Sequence, residues 1–322
     1  MLIAEHALWI VVAAILFDAL IGDPDFVWRR LPHPVVWIGY AIEGLERTLN
    51  ITEWPAQQRK IAGVGAVLWL VIGAAIVGLL IELILPKGWP SVVIEGFLAS
   101  VLLAQRSLYQ HVARVRDAFA DGGLPAARTA VSMIVGRDPA RLDEAGVARA
   151  AIESTAENFS DGIVAPVFWL AVFGLPGLIA YKAINTADSM IGHRSERFEQ
   201  FGWAAARLDD LVNIIPARLS GLLFLLVAPL TGGSMAKAKA AMFRDAPTHR
   251  SPNAGWPESA MAGALGIALA GPRHYAEGPV DDPFLNAGAR AATPDDINRA
   301  LKLFVAACAL QATIYAALAL VI

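Results

Sequence analysis

Glu153, Glu157 and Asp161 recur at intervals of four, a spacing that stacks carboxylates along one face of an α-helix. Like charges so placed repel by about 0.2–0.5 kcal/mol per pair in isolated helices. Either the row is a solvated helix face, or Mg2+ or basic side chains neutralise it. Asn158-Phe159-Ser160-Asp161-Gly162 runs directly into an apolar stretch, and polar groups gathered against lipid favour the second reading. Lys182, Asn185 and Asp188 follow, then Asp209, Asp210 and Asn213. Mg2+ takes oxygen ligands, usually one or two carboxylates with substrate phosphate and water, so Asp188, Asp209 and Asp210 are candidate metal ligands. Lys182, Arg194, Arg207 and Arg218 supply cations that a phosphate or carboxylate needs. A third polar group runs from Arg244-Asp245 through His249, Ser251-Pro252-Asn253 and Trp256-Pro257-Glu258. Its prolines predict a shaped loop rather than a regular helix. There Trp256 is either an interface anchor or a face for a planar ligand, and His249 a base or a hydrogen-bonded loop residue. Near the start, Asp23-Pro24 and His33-Pro34 form rigid turns.

The elements that must position these residues are membrane helices. Hydrophobic residues make up 56% of the 322-residue chain and charged ones 17%, below the roughly 25% of soluble domains. The deficit is concentrated in runs: residues 61–81 and 303–322 carry no charge, and 7–21 carry only Asp18. About 20 apolar residues cross the hydrocarbon core. The pattern predicts an all-α, polytopic helical membrane protein, a single domain with about four to six embedded segments. Helices are expected near 2–21, 61–85, 92–112, 163–181, 212–230 and 301–322. Polar loops over 22–60, 113–161, 182–211 and 231–300 would form the site. Residues 42–49 alternate with helical spacing, which suggests a surface or interfacial helix.

Lys and Arg in short loops mark the cytoplasmic side, which puts the N-terminus outside. The apolar run 163–181 is broken at Phe173-Gly174-Leu175-Pro176-Gly177. A straight crossing there would carry Lys182, Arg194, Arg197 and Arg207 outside. We therefore expect a re-entrant hairpin returning to the cytoplasmic side, against the alternative of a kinked span. Residues 261–271 are too short to span, and their small side chains suggest close helix packing. Thr293-Pro294-Asp295-Asp296 reads as an N-cap, a Pro at N1 and acids in the first turn of the last helix.

Absences narrow the chemistry. The net charge of −3 argues against a nucleic-acid partner. One cysteine, Cys308, excludes an internal disulfide and a Cys-rich metal site. The N-terminal stretch lacks a basic n-region and a clear cleavage site, so it is expected to be retained. There is no phosphate-loop motif and no dinucleotide fingerprint, so any nucleotide site is non-standard.

Taken in order, the polar motifs resemble one family. They are Asp18-Ala19-Leu20-Ile21-Gly22-Asp23-Pro24, His33-Pro34-Val35, Val135-Gly136-Arg137-Asp138, Glu157-Asn158 with Asp161-Gly162, and Tyr181-Lys182-Ala183-Ile184-Asn185-Thr186 with Asp188-Ser189-Met190. Ala206-Arg207-Leu208-Asp209-Asp210 with Asn213, Pro216-Ala217-Arg218-Leu219, Arg244-Asp245, His249 and Ser251-Pro252-Asn253-Ala254-Gly255-Trp256-Pro257-Glu258 complete them. Together they resemble the adenosylcobinamide-phosphate synthase family of cobalamin biosynthesis, over roughly residues 18–275. Pro139 and His193 depart from the residues common there.

The resemblance implies an enzyme of the bacterial cell (inner) membrane. Its reaction joins aminopropanol, or its O-phosphate, to a propionate carboxylate of adenosylcobyric acid, driven by ATP with Mg2+. It assigns Glu153, Glu157, Asp161, Asp188, Asp209 and Asp210 to Mg2+ or amine deprotonation. Lys182, Arg137, Arg207 and Arg244 would hold phosphates or the substrate carboxylate. Asn158, Asn185, Asn213 and Asn253 would orient polar groups, and Trp256 would pack on the corrin. Asp23, His33, His249 and Glu258 fall within the matching motifs and join the substrate-binding set. The partners implied are the corrinoid, the amino alcohol, the bilayer and other membrane enzymes of cobalamin assembly. A transporter of a charged small molecule and a Mg-dependent membrane phosphotransferase stand as rival readings. The first would place charges at mid-span in two related halves, and no repeat is seen.

Overall fold

The computed structural model describes residues 6–135, 139–275, 278–280 and 282–321. Its helices in chain order are α1 (Ala7–Leu20), α2 (Asp25–Trp28), α3 (Pro34–Leu49), α4 (Ala56–Ile84), α5 (Trp89–Ser100), α6 (Gln105–Val131) and α7 (Glu144–Phe159). Then come α8 (Ala165–Ala187), α9 (Trp203–Val212), α10 (Ile214–Val227), α11 (Met235–Asp245), α12 (Gly255–Leu265) and α13 (Pro294–Val321). Short strands β1 (Leu269–Ala270), β2 (Arg273–Tyr275), β3 (Gly278–Val280) and β4 (Phe284–Leu285) pair antiparallel as β1–β4 and β2–β3. Apart from them the regular structure of the described residues is all helical. Among the described residues, five stretches are long and apolar enough to cross a membrane: Ala56–Ile84, Trp89–Val131, Glu144–Gly192, Ile214–Thr231 and Pro294–Val321.

Contacts divide the chain into two compact units, Met1–Ala104 with Ala165–Asn213 and Tyr315–Ile322, and Gln105–Val164 with Ile214–Ile314. The backbone passes between them repeatedly, so no single cut in sequence separates the two.

In the first unit, α1 and α5 run parallel: Trp9 meets Trp89 at 6.0 Å and Phe17 meets Phe97 at 5.9 Å. Gly96 lets them close up, because a Cβ there would meet Ala13 Cβ at 2.6 Å. The apolar break expected in α8 is a fold-back. Gly174 has φ 67° and ψ −156°, a region that essentially only glycine enters, and Pro176 restarts the helix beyond it. A Cβ on Gly177 would lie 2.6 Å from the carbonyl oxygen of Trp169, eight residues earlier. In a straight helix those residues stand about 12 Å apart along the axis. Trp169 donates to Val212 O at 3.2 Å while Tyr181 reaches Asn213 at 3.0 Å, so both limbs meet the end of α9.

The tip of this hairpin seats on the last turns of α4. Glu82 Oε1 accepts the Leu175 N–H at 2.8 Å, and a Cβ at Gly78 would overlap Pro176. The second limb runs back along α4, since Ala183 and Ala187 share a core with Ala66, Val67 and Leu70. Asp188 is thereby returned to the end where α4 begins. That end carries Arg47, Arg59, Lys60, Arg194, Arg197 and Arg207, whereas the α4–α5 connection carries Lys87 alone. Glu46 on α3 clamps it: Arg197 donates to both Glu46 oxygens at 2.6 and 2.8 Å, and Asn50 joins Glu46 to Arg59.

The second unit is built on a larger core, in which Phe159 packs on Phe224 at 4.5 Å and Phe304 at 5.7 Å. α11 and α12 approach closely through Gly263, where a Cβ would lie 2.5 Å from Lys237 O. That is the small-residue packing expected of 261–271. Gly266, at φ 68°, ends α12. The start of α13 is as read: Thr293 N–H and Oγ1 both donate to Asp296 Oδ2 at 2.9 Å. Arg290 and Arg299 grip the same carboxylate.

Three expectations need correction. The helix expected over 92–112 is broken at residues 101–104, where the chain passes from one unit to the other. The regions expected as polar loops hold α3, much of α6, α7, α9, α11 and α12, because amphipathic helices packed on protein need no long apolar run. Residues 255–258, read as loop, form the first turn of α12, where Pro257 lacks only an N–H that has no helical acceptor.

Candidate functional site

Two π-helical turns interrupt the helices, at Ser160–Val164 and Asp188–Gly192, and each holds one of the candidate acids. Such turns are rare and gather at functional sites, because the extra residue re-aims side chains. In the first unit, a Cβ at Gly192 would overlap Asp188 Oδ1, so that glycine makes room for the carboxylate. Asn185, one turn before Asp188, donates to Asp209 Oδ1 at 3.4 Å. Asn213 donates to Asp209 Oδ2 at 3.0 Å, and Tyr181 OH donates in turn to Asn213 Oδ1 at 3.0 Å. Both Asn213 and Tyr181 are buried.

Burial, the neighbouring Asp188 and the more distant Asp210 push the Asp209 carboxyl up to about 7, against the two amide hydrogen bonds. The Asp210 carboxyl is also raised by burial, opposed by Arg207 at 3.0 Å. The amides hold Asp209 in place while its acidity is set near neutrality.

Among the described residues no three His, Cys, Asp or Glu side chains form a ready metal cage. Asp210 is engaged by Arg207, so the expected three-acid set contracts to Asp188 and Asp209. That remainder fits Mg2+, which binds through one or two carboxylates and completes its shell with water and phosphate. Burial is the main cause of the raised Asp209 carboxyl, and a cation would relieve the smaller part that comes from Asp188.

In the second unit the acid row does not survive. Glu153 is buried, Glu157 and Asn158 are exposed, and Asp161 lies in the π-turn beyond the end of α7. Glu153 Oε1 instead accepts the N–H of Ala270 at 2.6 Å, with Arg149 at 3.9 Å. Ala270 has φ 55°, so this bond fixes a left-handed residue and gives Glu153 a structural task. Glu153→Ala is expected to lower stability by about 1–3 kcal/mol, the cost of an orphaned buried donor. Turnover per folded molecule should stay close to that of the parent, as melting and initial-rate measurements on one preparation can check.

The loop group is drawn together. Arg218 donates to Asn253 Oδ1 at 3.1 Å, and its guanidinium lies over Trp256 at 4.6 Å. One face of that indole is therefore already covered, and Phe243 meets it edge-on at 5.9 Å. His249 faces Glu258 at 3.8 Å inside the protein, and its Nδ1 accepts the Ser251 N–H at 3.0 Å. Arg244 is bound bidentately by Asp245 at 2.6 and 2.7 Å. Burial would raise the Asp245 carboxyl, but Arg244 and the Asn286 N–H hold it below its usual range. In the first unit, His33 caps α3 by accepting the Val35 N–H at 3.2 Å and faces Asp23 at 3.5 Å. Arg137 lies outside the described residues.

Sequence reasoning missed Tyr181 as the support of Asn213, and the Glu46–Arg197–Arg59 clamp. Tyr181-Lys182 opens a quoted motif, and that was the available signal.

The chain is similar over residues 11–304 to the family described as CobD/Cbib protein. A "Cobalamin biosynthesis protein CobD" of Rhodobacter capsulatus is 54% identical over 293 residues, 91% of each chain. Proteins of the same name from Brucella suis and Rhizobium meliloti are 51% identical over 321 and 322 residues, 98% of each chain. No solved structure matches.

Proposed function

This chain belongs to the CobD/Cbib family and has a role in cobalamin biosynthesis, and from that premise we propose that it is the amide ligase of the corrinoid side chain. It joins aminopropanol, or its O-phosphate, to a propionate of adenosylcobyric acid at the expense of ATP. The observation that supports the reading is the Asp188–Asp209 pair with its two amides, at the Lys- and Arg-rich end of the first unit.

A carboxylate is a poor acyl donor, so its oxygen first attacks the γ-phosphorus of ATP, giving an acyl phosphate and ADP. The amine then attacks the acyl carbon, inorganic phosphate leaves, and one proton is released. An ammonium must shed that proton before attack. We assign Asp209, oriented by Asn185 and Asn213, to the metal ion together with Asp188. Mg2+, held by Asp188 with Asp209, would neutralise phosphate charge. Lys182, on α8 ahead of Asp188, and Arg207, on α9 beside Asp209, are proposed as anion-binding groups. Positive loop charge supports a cytoplasmic placement of these acids.

The test is detergent-purified protein with adenosylcobyric acid, aminopropanol phosphate and Mg-ATP. A corrinoid heavier by the amine unit, with ADP released, is the expected outcome. Absence of that product from stably folded protein, with corrinoid flux into vesicles instead, would replace the ligase by a transporter.

A further inference from the structure

Helix α3 is apolar along part of its length rather than along one side. Its exposed positions begin with Val36, Trp37 and Tyr40 and end with Glu43, Gly44, Arg47 and Thr48. Phe26 and Leu31, just before it, are exposed as well; with Trp37 and Tyr40 they show 57–69% of their surface. Single exposed apolar residues are ordinary, but an aromatic group of this size marks an interaction surface.

The packing of α3 against its neighbours indicates what covers it. Asn50, at the end of α3, sits at the level of Arg59, ahead of the uncharged run of α4. Ile42 shares a core with Ala66, Val67 and Leu70, which lie within that run. Gly39 meets Met190, whose Sδ would lie 3.6 Å from a Cβ there. Hence the end of α3 lies at the mouth of α4, its middle packs beside the apolar run of α4, and its aromatic half lies near the Asp188–Gly192 turn. Arg29 and Arg30, both exposed, sit between Phe26 and Leu31 in the chain. Arginine stems lie along apolar surface while the guanidinium seeks phosphate, and aromatic rings favour the headgroup level.

We propose that α2 and the N-terminal half of α3 form an anchor inserted into the leaflet, with Phe26, Leu31, Trp37 and Tyr40 in lipid and Arg29 and Arg30 on anionic headgroups. Opposite charge selects the lipid class: cytoplasmic leaflets rich in acidic phospholipid attract clustered arginine. The anchor ends in Glu46, whose clamp on Arg197 fixes the loop between Asp188 and α9.

Spin labels on single cysteines test this, with Cys308 replaced by Ala and the full chain in phosphatidylcholine–phosphatidylglycerol vesicles. Labels at Trp37→Cys and Tyr40→Cys should be relaxed by oxygen and shielded from a water-soluble nickel chelate. Gly44→Cys and Thr48→Cys should show the reverse. Nickel access at 37 and 40 equal to that at 44 and 48 would overturn the proposal, as would shielding from both reagents, which means protein covers the face. In parallel, phosphatidylglycerol should raise the melting temperature of the parent, and Arg29→Gln with Arg30→Gln should remove most of that rise. An equal rise in both proteins would refute the headgroup contact.

Discussion

Asp209→Asn is expected to cut turnover by about 100-fold or more while making the purified protein more stable above neutral pH. Both effects come from the charge of the carboxylate, which would hold the metal and costs stability where it is buried. The Asp209 carboxyl stands at about 7 in the fold against an ordinary 3.8, so the folded state holds its proton more tightly than the unfolded chain. Between those values the folded form binds more protons, so stability falls as pH rises. The full stability is present below about 3.8, and the penalty is complete above about 7. Each pKa unit is worth about 1.36 kcal/mol, so the ceiling is about 4 kcal/mol. Partial exposure of the side chain reduces the expected gain to on the order of 1–2 kcal/mol. Asparagine keeps an oxygen for Asn185 or Asn213 but carries no charge, so the variant should melt higher than the parent at pH 8 in EDTA and with it at pH 4. Mg2+ should raise the parent at pH 8 and leave the variant unmoved. A variant that is active, or that gains nothing with pH, would remove Asp209 from the site.

Gly174→Ala should be the most damaging of the alanine substitutions at three matching glycine corners. The same Gly-x-Pro corner occurs at Gly88, Gly123 and Gly174, with φ of 83°, 63° and 67°. A non-glycine residue there costs about 1–3 kcal/mol in backbone strain. Space then separates the three. A Cβ at Gly88 meets nothing, one at Gly123 touches only Pro125 Cδ at 4.0 Å, and one at Gly174 would overlap Glu82 Oε1. Displacing Glu82 also strips the Leu175 N–H of its acceptor at the hairpin tip. Gly174→Ala should therefore cost about 3–5 kcal/mol and lower the amount of protein recovered from membranes. Gly88→Ala and Gly123→Ala should cost only the strain. Equal melting points for the three variants would contradict the seating of the tip on α4.

Much of this framework is legible in one dimension. The uncharged runs mark α4 and α13, Gly174-Leu175-Pro176 marks the fold-back, and the loop charges mark its direction. Polar helices such as α7 and α9 are not legible, because their apolar faces are covered by protein and their composition resembles loop. Four-residue spacing placed Glu153, Glu157 and Asp161 on one face, but a π-turn inside the motif leaves no mark in residue periodicity. Glu153 finds its partner 117 residues away in Ala270, a pairing that only the tertiary fold creates. The same holds for Asn213 on Tyr181 and for Arg218 on Trp256. The acidity of Asp209 is likewise a product of burial and neighbours, invisible in its identity.

That Asp188 and Asp209 form the reaction centre is tested most directly by a Mn2+ titration followed by electron paramagnetic resonance, with ATP and aminopropanol phosphate present. The parent should immobilise a single ion per chain, and Asp209→Asn should leave the same ion free over the same concentrations. Equal binding by folded parent and variant would place the metal, and the chemistry with it, elsewhere in the protein.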